Sequence, residues 1–161
     1  MHFDKGLLQC YHELLQNTEL QKAYQEWLTL FRFLRRELEQ QMPEYTFQAN
    51  VTENGMDYSY FQFYDVCLKR LGLKMVVVFR HREFRLEIWL SGVNRKAQFE
   101  WAEKLACQVL PFERSPDPKH TDYILRFPIS AELSDGTQTV CAIKEAAENL
   151  LVALEKKRST L

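Results

Sequence analysis

The sequence is poor in glycine and proline, and neither sign of charge dominates it. Its 161 residues include 5 Gly and 5 Pro, and 21 Lys and Arg side chains offset 22 Asp and Glu side chains to a formal net charge of -1. Because the glycines are scattered, there is no glycine-rich phosphate-binding loop, and we expect no cofactor. The near-neutral balance excludes a uniformly basic protein, so a nucleic-acid partner is not expected.

Cysteine is also scarce, and the four residues lie far apart at Cys10, Cys67, Cys107 and Cys141. Neither a C-x-x-C pair nor a Cys/His ligand spacing occurs, so we expect no metal site and no dependence on disulfides. No apolar run approaches the ~18 residues of a membrane-spanning helix, and the N-terminus does not resemble a secretory signal. The sequence therefore predicts a cytoplasmic protein that does not contact a membrane.

The composition that remains is that of a globular protein. Apolar residues make up 46% of the chain and aromatic residues 13%. This length is typical of one domain, and a domain of ~150 residues buries roughly 68–70% of its unfolded surface. We expect residues 1–161 to form a single domain.

Apolar residues with a helical period occur at both ends of the chain. Residues 3–17 predict a first helix, and a capping pattern at Thr18 predicts a second helix that ends before Pro43. A third helix is predicted over residues 94–109, after the capping residue Asn94. A last helix is predicted to begin at Asp135.

Between these helices the period changes to two, which is typical of strands. The predicted strands are residues 46–52, 56–64, 73–80, 83–91 and 123–127. The tight-turn pair Asn54-Gly55 joins the first two, and we expect the first four to form an antiparallel meander to which the fifth returns after a helix. The sequence therefore predicts an α+β fold: an antiparallel sheet of four to five strands with two N-terminal helices, one inserted helix and a C-terminal helix.

Charge is segregated along the strands. Residues 37–65 contain six acidic side chains and no Lys or Arg, whereas residues 69–96 contain eight basic side chains and two acidic ones. Neighbouring strands could place these complementary charges opposite one another. Alternatively, residues 80–96 could form a basic rim that meets an anionic partner.

Two segments carry a more specific pattern. They read Pro43-x-Tyr45 with Gly55-Met56-Asp57-x-Ser59-Tyr60-Phe61, and Val78-Phe79-x-His81-x-x-x-Arg85-x-Glu87-Ile88-Trp89-Leu90-x-Gly92-x-Asn94. This resembles an uncharacterised bacterial domain of unknown function, in which a long helix precedes P-x-Y, G-x-x-D-x-(S/T)-Y-F and V-F-x-H-x-x-x-R-x-E-x-W-L-x-G-x-N. The resemblance covers about residues 20–105. It implies a bacterial protein and assigns no activity.

The motif residues predict a binding surface on the sheet. The candidate ligand- or partner-binding residues are Asp57, Ser59, Phe61, His81, Arg85, Glu87, Trp89 and Asn94. Strand alternation puts the first three on one face of their strand, and Arg85, Glu87 and Trp89 on one face of theirs. We expect both sets to face away from the helices, because the alternate residues from Phe84 to Leu90 are apolar. The histidine lies at the adjoining turn and the asparagine just beyond the strand.

Each candidate also has a structural interpretation. Arg85 and Glu87 could simply pair with each other, and Asp57 could cap the tight turn or pair with Arg85. Trp89 could be a packing residue and His81 a solvated residue of the turn. No catalytic residue is predicted.

The expected function is that of a binding or interaction module without catalytic activity, with the polar and aromatic sheet face as its site. On this interpretation that face also carries Phe61, Phe63, Val76 and Val78, which something must cover. The last helix, a second copy of the chain or a partner peptide could do so. A protein partner, in a homodimer or another complex, is therefore expected.

Two other functions stay open. The element order is similar to that of restriction endonucleases, so the chain could be a degenerate nuclease-like domain with Asp57 and one of the triplets Glu83-Phe84-Arg85 and Glu87-Ile88-Trp89. Neither triplet contains the lysine that such an enzyme uses, and arginine stays protonated. The other alternative is a small anionic-ligand binder in which Arg85 holds a carboxylate or phosphate.

Overall fold

Five helices and six strands make up the computed structural model, which describes the backbone of residues 1–158 and the side chains of residues 1–154. The helices are α1 (Lys5–Asn17), α2 (Leu20–Gln41), α3 (Val66–Leu71), α4 (Arg95–Leu105) and α5 (Gly136–Arg158). The strands are β1 (Thr46–Asn54), β2 (Tyr58–Tyr64), β3 (Leu73–Arg80), β4 (Arg85–Gly92), β5 (Glu113–Arg114) and β6 (Leu125–Ile129).

The strands form an antiparallel sheet in the order β1-β2-β3-β4-β6-β5. β1 to β4 form the predicted meander, and β6 pairs with β4 after the inserted helix α4. The predicted α+β fold, with its two N-terminal helices and its C-terminal helix, is confirmed. The sixth strand is β5, which pairs with Leu125 and Arg126. Two residues carry no detectable alternation, so the sequence could not indicate it.

The hydrophobic core lies on one face of the sheet, beneath α2 and α5. The strand residues in it are Phe61, Phe63, Met75, Val77, Phe79, Leu86, Ile88 and Leu90. Phe31, Leu34 and Leu38 of α2 pack there at helical spacing, together with a stripe of α5. Each fully buried side chain of this kind contributes roughly 1.5–3 kcal/mol to folding. The core thus fixes which face of each strand the helices cover.

The residues between these core positions point to the opposite side of the sheet, which we call the open face. They are Tyr58, Tyr60 and Gln62 of β2, Lys74, Val76, Val78 and Arg80 of β3, and Arg85, Glu87, Trp89 and Ser91 of β4. None of these belongs to the hydrophobic core cluster of the described residues. The open face is therefore the part of the sheet that can meet a ligand.

The expected placement of Ser59 and Phe61 on the open face is wrong. Ser59 pairs with Phe79, which pairs with Leu86, and residues directly opposite one another share a face. Ser59 is 0% exposed and Phe61 is 1% exposed, on the core side. Alternation relates residues within one strand, whereas the relation between two strands depends on the geometry of the turns between them.

β1 departs from simple alternation. Its register against β2 shifts between Gln48 and Thr52, and Ala49 within that stretch has a φ of 53°. Ala49 is exposed, although the alternation of Phe47, Ala49 and Val51 predicted one buried face. The irregularity is a β-bulge that leaves residues of β1 unpaired, so Ala49 is exposed while Phe47 before it and Val51 after it still pack against the core.

Two strand boundaries also differ from the predicted ones. Phe84, expected on the helix-facing side of a strand, lies in the turn before β4 with a φ of 47° and is 70% exposed. Pro128, expected to end a strand, lies within β6 opposite Glu87. The side of β6 away from β4 is paired only at Leu125 and Arg126, so the missing N–H of Pro128 disrupts no pairing with β5.

Several features lie outside the sheet. α1 buries no residue, and its apolar side chains Leu7, Leu8 and Tyr11 are exposed. Among residues 1–158, no helix has the length and apolar character that crossing a membrane requires. The four cysteines are free and exposed.

Candidate functional site

The open face contains a cleft of about 320 Å³ that runs along β3. Val76 forms its floor and is 7% exposed, and Val78, the next residue on this face of β3, is 0% exposed beneath its neighbours. Tyr60 lies opposite Val78 on β2, and Trp89 lies opposite Val76 on β4. Short side chains on the central strand between large ones on its neighbours leave a trough. Tyr60 and Trp89 are two strand spacings apart across the sheet and two residues apart along it, so their Cα atoms are about 12 Å apart.

Lys74 lies at one end of the trough and is half-buried. Its Nζ donates a hydrogen bond to Oε1 of Gln62 at 2.8 Å, a neutral acceptor. Burial lowers the pKa of the Lys74 ammonium, because the cleft solvates its charge less well than water does, and the charge of Asp122 partly opposes this. Lys74 is therefore a partly desolvated cation at the end of an apolar floor.

The rim of the cleft is built by the start of α4 and the segment before β6. Asn94 caps α4 by accepting a hydrogen bond from the Ala97 backbone N–H at 2.9 Å. Arg95, the next residue, donates from Nη2 to Oδ1 of Asp122 at 2.7 Å and from Nη1 to the Thr121 carbonyl. These bonds tie two distant segments of the chain together, so the rim has a defined shape.

The strand motif forms a cluster beside the cleft. Glu87 is 1% exposed, and its Oε1 accepts a hydrogen bond from Arg85 Nε at 2.6 Å. Its Oε2 accepts from Trp89 Nε1, also at 2.6 Å, and Arg80 Nη1 lies 3.8 Å from Oε1. Arg85 and Glu87 therefore form the ion pair that their spacing of two residues along the strand allowed. The carboxylate also fixes the orientation of the indole that forms one wall of the cleft.

Asp57 does not join this cluster. It lies in the exposed turn before β2, where its backbone carbonyl accepts a hydrogen bond from the His81 N–H at 3.1 Å. Within the described part of the chain, the ion pairs of Arg85 involve Glu87 and not Asp57. The structure thus brings Arg85, Glu87, Trp89 and Asn94 to the open face or its rim, and leaves Asp57 at a turn.

His81 and Ser59 form a separate pair on the core side. Ser59 Oγ and His81 Nε2 are 2.9 Å apart, and the histidine ring packs at 4.4 Å from the Trp27 ring and 5.7 Å from the Tyr24 ring, between centroids. A serine beside a histidine has the composition of a nucleophile and its base. Because Ser59 is 0% exposed, its hydroxyl has no access to a substrate, and the pair satisfies two buried polar groups instead.

The surroundings of His81 predict a pH dependence of stability. Burial lowers the pKa of His81 below its ordinary value, and the charges of Glu53 and Asp57 partly oppose this. As the pH falls through about 6.5, the unfolded chain takes up a proton at this position that the folded chain binds less well. The free energy of unfolding should therefore decrease between pH 7.5 and pH 5.5, and His81→Gln should make that decrease smaller.

Urea unfolding at several pH values measures this slope. The groups that face His81 are Tyr24 and Trp27 of α2, Glu53 of β1, Ser59 of β2 and Phe79 of β3. The control is His12→Gln, a change at an exposed position of α1, which should keep the wild-type slope. Equal slopes for the wild type and His81→Gln would contradict the prediction.

Several cleft residues were not among the sequence candidates. Tyr58 and Tyr60 could have been found, because they alternate with the apolar Phe61 and Phe63 and so must face away from the core. Lys74 interrupts an apolar run at the start of β3, which is a weaker signal. No sequence signal indicated Asp122, because its partner Arg95 is distant in the sequence.

The carboxylates of the nuclease-like alternative are engaged elsewhere, with Glu83 paired to Arg80 at 2.6 Å. Asp57 lies in its turn, and Glu87 is enclosed by Arg85 and Trp89. Among the residues that the structure describes, no three His, Cys, Asp or Glu side chains are grouped so that they could hold a metal ion. The geometry gives this alternative no support.

Comparison with known proteins identifies a family but no function. The family model for a domain of unknown function, DUF7000, matches residues 5–157. No curated protein matches the chain, and no solved structure does. The family match agrees with the resemblance to an uncharacterised domain and extends beyond residues 20–105 on both sides. Since it covers most of the sequence, the chain belongs to the DUF7000 family, a domain of unknown function.

Proposed function

We propose that this protein is a binding module that holds a small molecule in the cleft of the open face. The observation that carries the proposal is the cleft itself, with the apolar side chain of Val76 on its floor, aromatic walls and one half-buried cation. Its volume of about 320 Å³ lies at the lower end of the ~300–1,000 Å³ usual for ligand sites. An apolar floor with a few convergent polar groups is the usual composition of such sites.

Binding is favoured over catalysis by the bonds that the rim residues already make. Arg95 and Asp122 bind each other, and the Ser91 hydroxyl donates to the Asp122 carbonyl at 2.7 Å. The Gln98 side chain accepts from the Gly92 N–H at 2.7 Å. These groups maintain the shape of the cleft, whereas a general acid or base needs access to the reacting atoms.

A small molecule is favoured over a protein partner at this face. The argument for a protein partner was that Phe61, Phe63, Val76 and Val78 need cover. The two phenylalanines are instead buried against the helices, and the two valines are buried by their neighbours on the open face. What remains is a concave site, and concave sites suit small ligands.

Fragment screening by NMR tests the proposal. Titration of ¹⁵N-labelled protein with a library of small fragments should shift the backbone amides of Val76, Val78 and Trp89 and leave those of α5 unchanged. Val76→Phe places a ring in the trough and should abolish these shifts, because it fills the space that the fragment occupies.

Thr29→Phe is the control, since it adds the same ring at an exposed position of α2, on the opposite side of the sheet from the cleft. It should leave the shifts intact. Fragments that shift only residues elsewhere, or that bind Val76→Phe as well as they bind the wild type, would refute the proposed site.

A further inference from the structure

We propose that the ligand of this cleft is a flat monoanion, a carboxylate on an aromatic or conjugated ring. Its charge pairs with Lys74 and its ring lies over Val76, between Tyr60 and Trp89. The inference rests on the proposed function, since it names the ligand class for the same cleft. It is carried by the charge balance of the lining residues and by the shape of the trough.

The charges that line the cleft leave one cation without a carboxylate partner. Lys74 and Arg95 are cationic and Asp122 is anionic, and Arg95 is bound to Asp122 at 2.7 Å. The acceptor of Lys74 is the neutral amide of Gln62, and within residues 1–154 no carboxylate forms an ion pair with it. A cation that is partly removed from water is stabilised by an opposite charge close to it. A ligand with one negative charge supplies it.

Burial strengthens this preference. The partly desolvated ammonium interacts with an opposite charge more strongly than it would in water, because the effective dielectric constant is lower. The same burial lowers the pKa of the Lys74 ammonium in the empty cleft, and a bound carboxylate would raise it again. The cleft thus favours an anion over a neutral molecule of the same shape.

The charge count also distinguishes a carboxylate from a phosphate ester. A phosphate monoester carries about -1.5 to -2 charges near neutral pH. One negative charge would pair with Lys74. The remaining charge would be repelled by Asp122, because Arg95 is already bound to that carboxylate. A monoanion is matched by this site, whereas a dianion is not.

The trough accommodates a flat group. A ring that lies midway between Tyr60 and Trp89, whose Cα atoms are about 12 Å apart, is about 6 Å from each, which is within the ~4.5–7 Å range of aromatic pairs. Both walls have a fixed orientation. The Trp89 indole is bound to Glu87, and the Tyr60 ring stacks on Tyr58 with centroids 6.0 Å apart. Rigid walls favour a flat ligand, because they lose little freedom when it binds.

Isothermal titration with three probes that share a naphthyl ring tests the inference. The probes are 2-naphthoate, its neutral amide 2-naphthamide, and the dianion 2-naphthyl phosphate. The wild type should bind naphthoate at least tenfold more tightly than either of the others. Lys74→Met should reduce the preference for naphthoate over naphthamide to less than twofold and leave the affinity for naphthamide within twofold. Lys74→Arg should retain the preference.

The comparison of acid with amide uses the wild-type protein, so it decides the question even if a variant does not fold. If naphthamide, or neutral fragments of the NMR screen, bind in the cleft as tightly as naphthoate, the charge inference is overturned and the binding module stands. If naphthyl phosphate binds more tightly than naphthoate, the inference that the ligand is a monoanion is overturned. If no probe or fragment shifts the amides of Val76, Val78 and Trp89, the proposed function itself fails.

Discussion

Arg85→Ala should lower the free energy of unfolding by about 2–3 kcal/mol, because it removes the main partner of a buried carboxylate. Glu87 is 1% exposed, and Arg85 approaches its Oε1 with both Nε and Nη2. Breaking a buried ion pair usually costs ~3–5 kcal/mol. We expect less here, because the Arg85 side chain is 41% exposed and water can replace part of it.

Urea unfolding at pH 7 measures the change, and Arg82→Ala is the matched control. Arg82 lies in the exposed turn between β3 and β4, so its removal should alter stability by less than about 0.5 kcal/mol. A double-mutant cycle of Arg85→Ala with Glu87→Gln should give a coupling energy well above ~0.5 kcal/mol. A coupling below that value would show that the two residues stabilise the protein independently.

The elements of the fold could be predicted because their signals are local. A helical period of apolar residues lies in each long helix. A period of two, or in β3 a continuous apolar run, lies in the long strands, so the α+β class followed directly. The trio of Arg85, Glu87 and Trp89 was predictable for the same reason, since residues two apart in a strand share a face. The carboxylate bonds to both partners confirm that proximity.

The full set of residues at the site could not be predicted, because it depends on which face of one strand lies on the same side of the sheet as which face of the next. Ser59 was placed with the polar residues, yet it lies in the core, where His81 satisfies its hydroxyl. Phe61 and Phe63 share a strand face with Ser59 and would have indicated that this face is buried. Two large apolar residues indicate the buried face more reliably than a single polar one indicates the exposed face. The bulge at Ala49 and the turn at Phe84 depend on backbone conformations with positive φ that no periodicity reveals.

The rim of the cleft depends on contacts that are still less local. Arg95 reaches Asp122 and the Thr121 carbonyl only because β6 returns beside β4. The sequence indicated that a fifth strand returns to the sheet but not which strand it pairs with. Lys74 is thus visible in the sequence as one polar residue in an apolar strand, whereas its lack of a carboxylate partner is visible only in the fold.

Gly92→Ala should lower the free energy of unfolding by about 3 kcal/mol, at the upper end of the ~1–3 kcal/mol usual for overpacking. The motif glycine lies at the end of β4, where the first turn of α4 crosses it. A Cβ at this position would lie 2.4 Å from the backbone N of Gln98 and 2.7 Å from its Cα. These are backbone atoms of a helix that Asn94 caps, so α4 must move as a unit.

The same displacement should weaken the cleft, because it carries Arg95 away from Asp122. The matched control is Gly6→Ala at the start of α1, a helix that buries no residue, which should change stability by less than about 0.5 kcal/mol, since its Cβ would meet a side-chain oxygen of Asp4 at 3.3 Å and no backbone atom. Urea unfolding gives both values, and the shifts of the Arg95 and Asp122 amides report the movement of the rim. Stability of Gly92→Ala within about 0.5 kcal/mol of the wild type would mean that β4 and α4 are not in close contact, and that the position of the rim does not depend on this glycine.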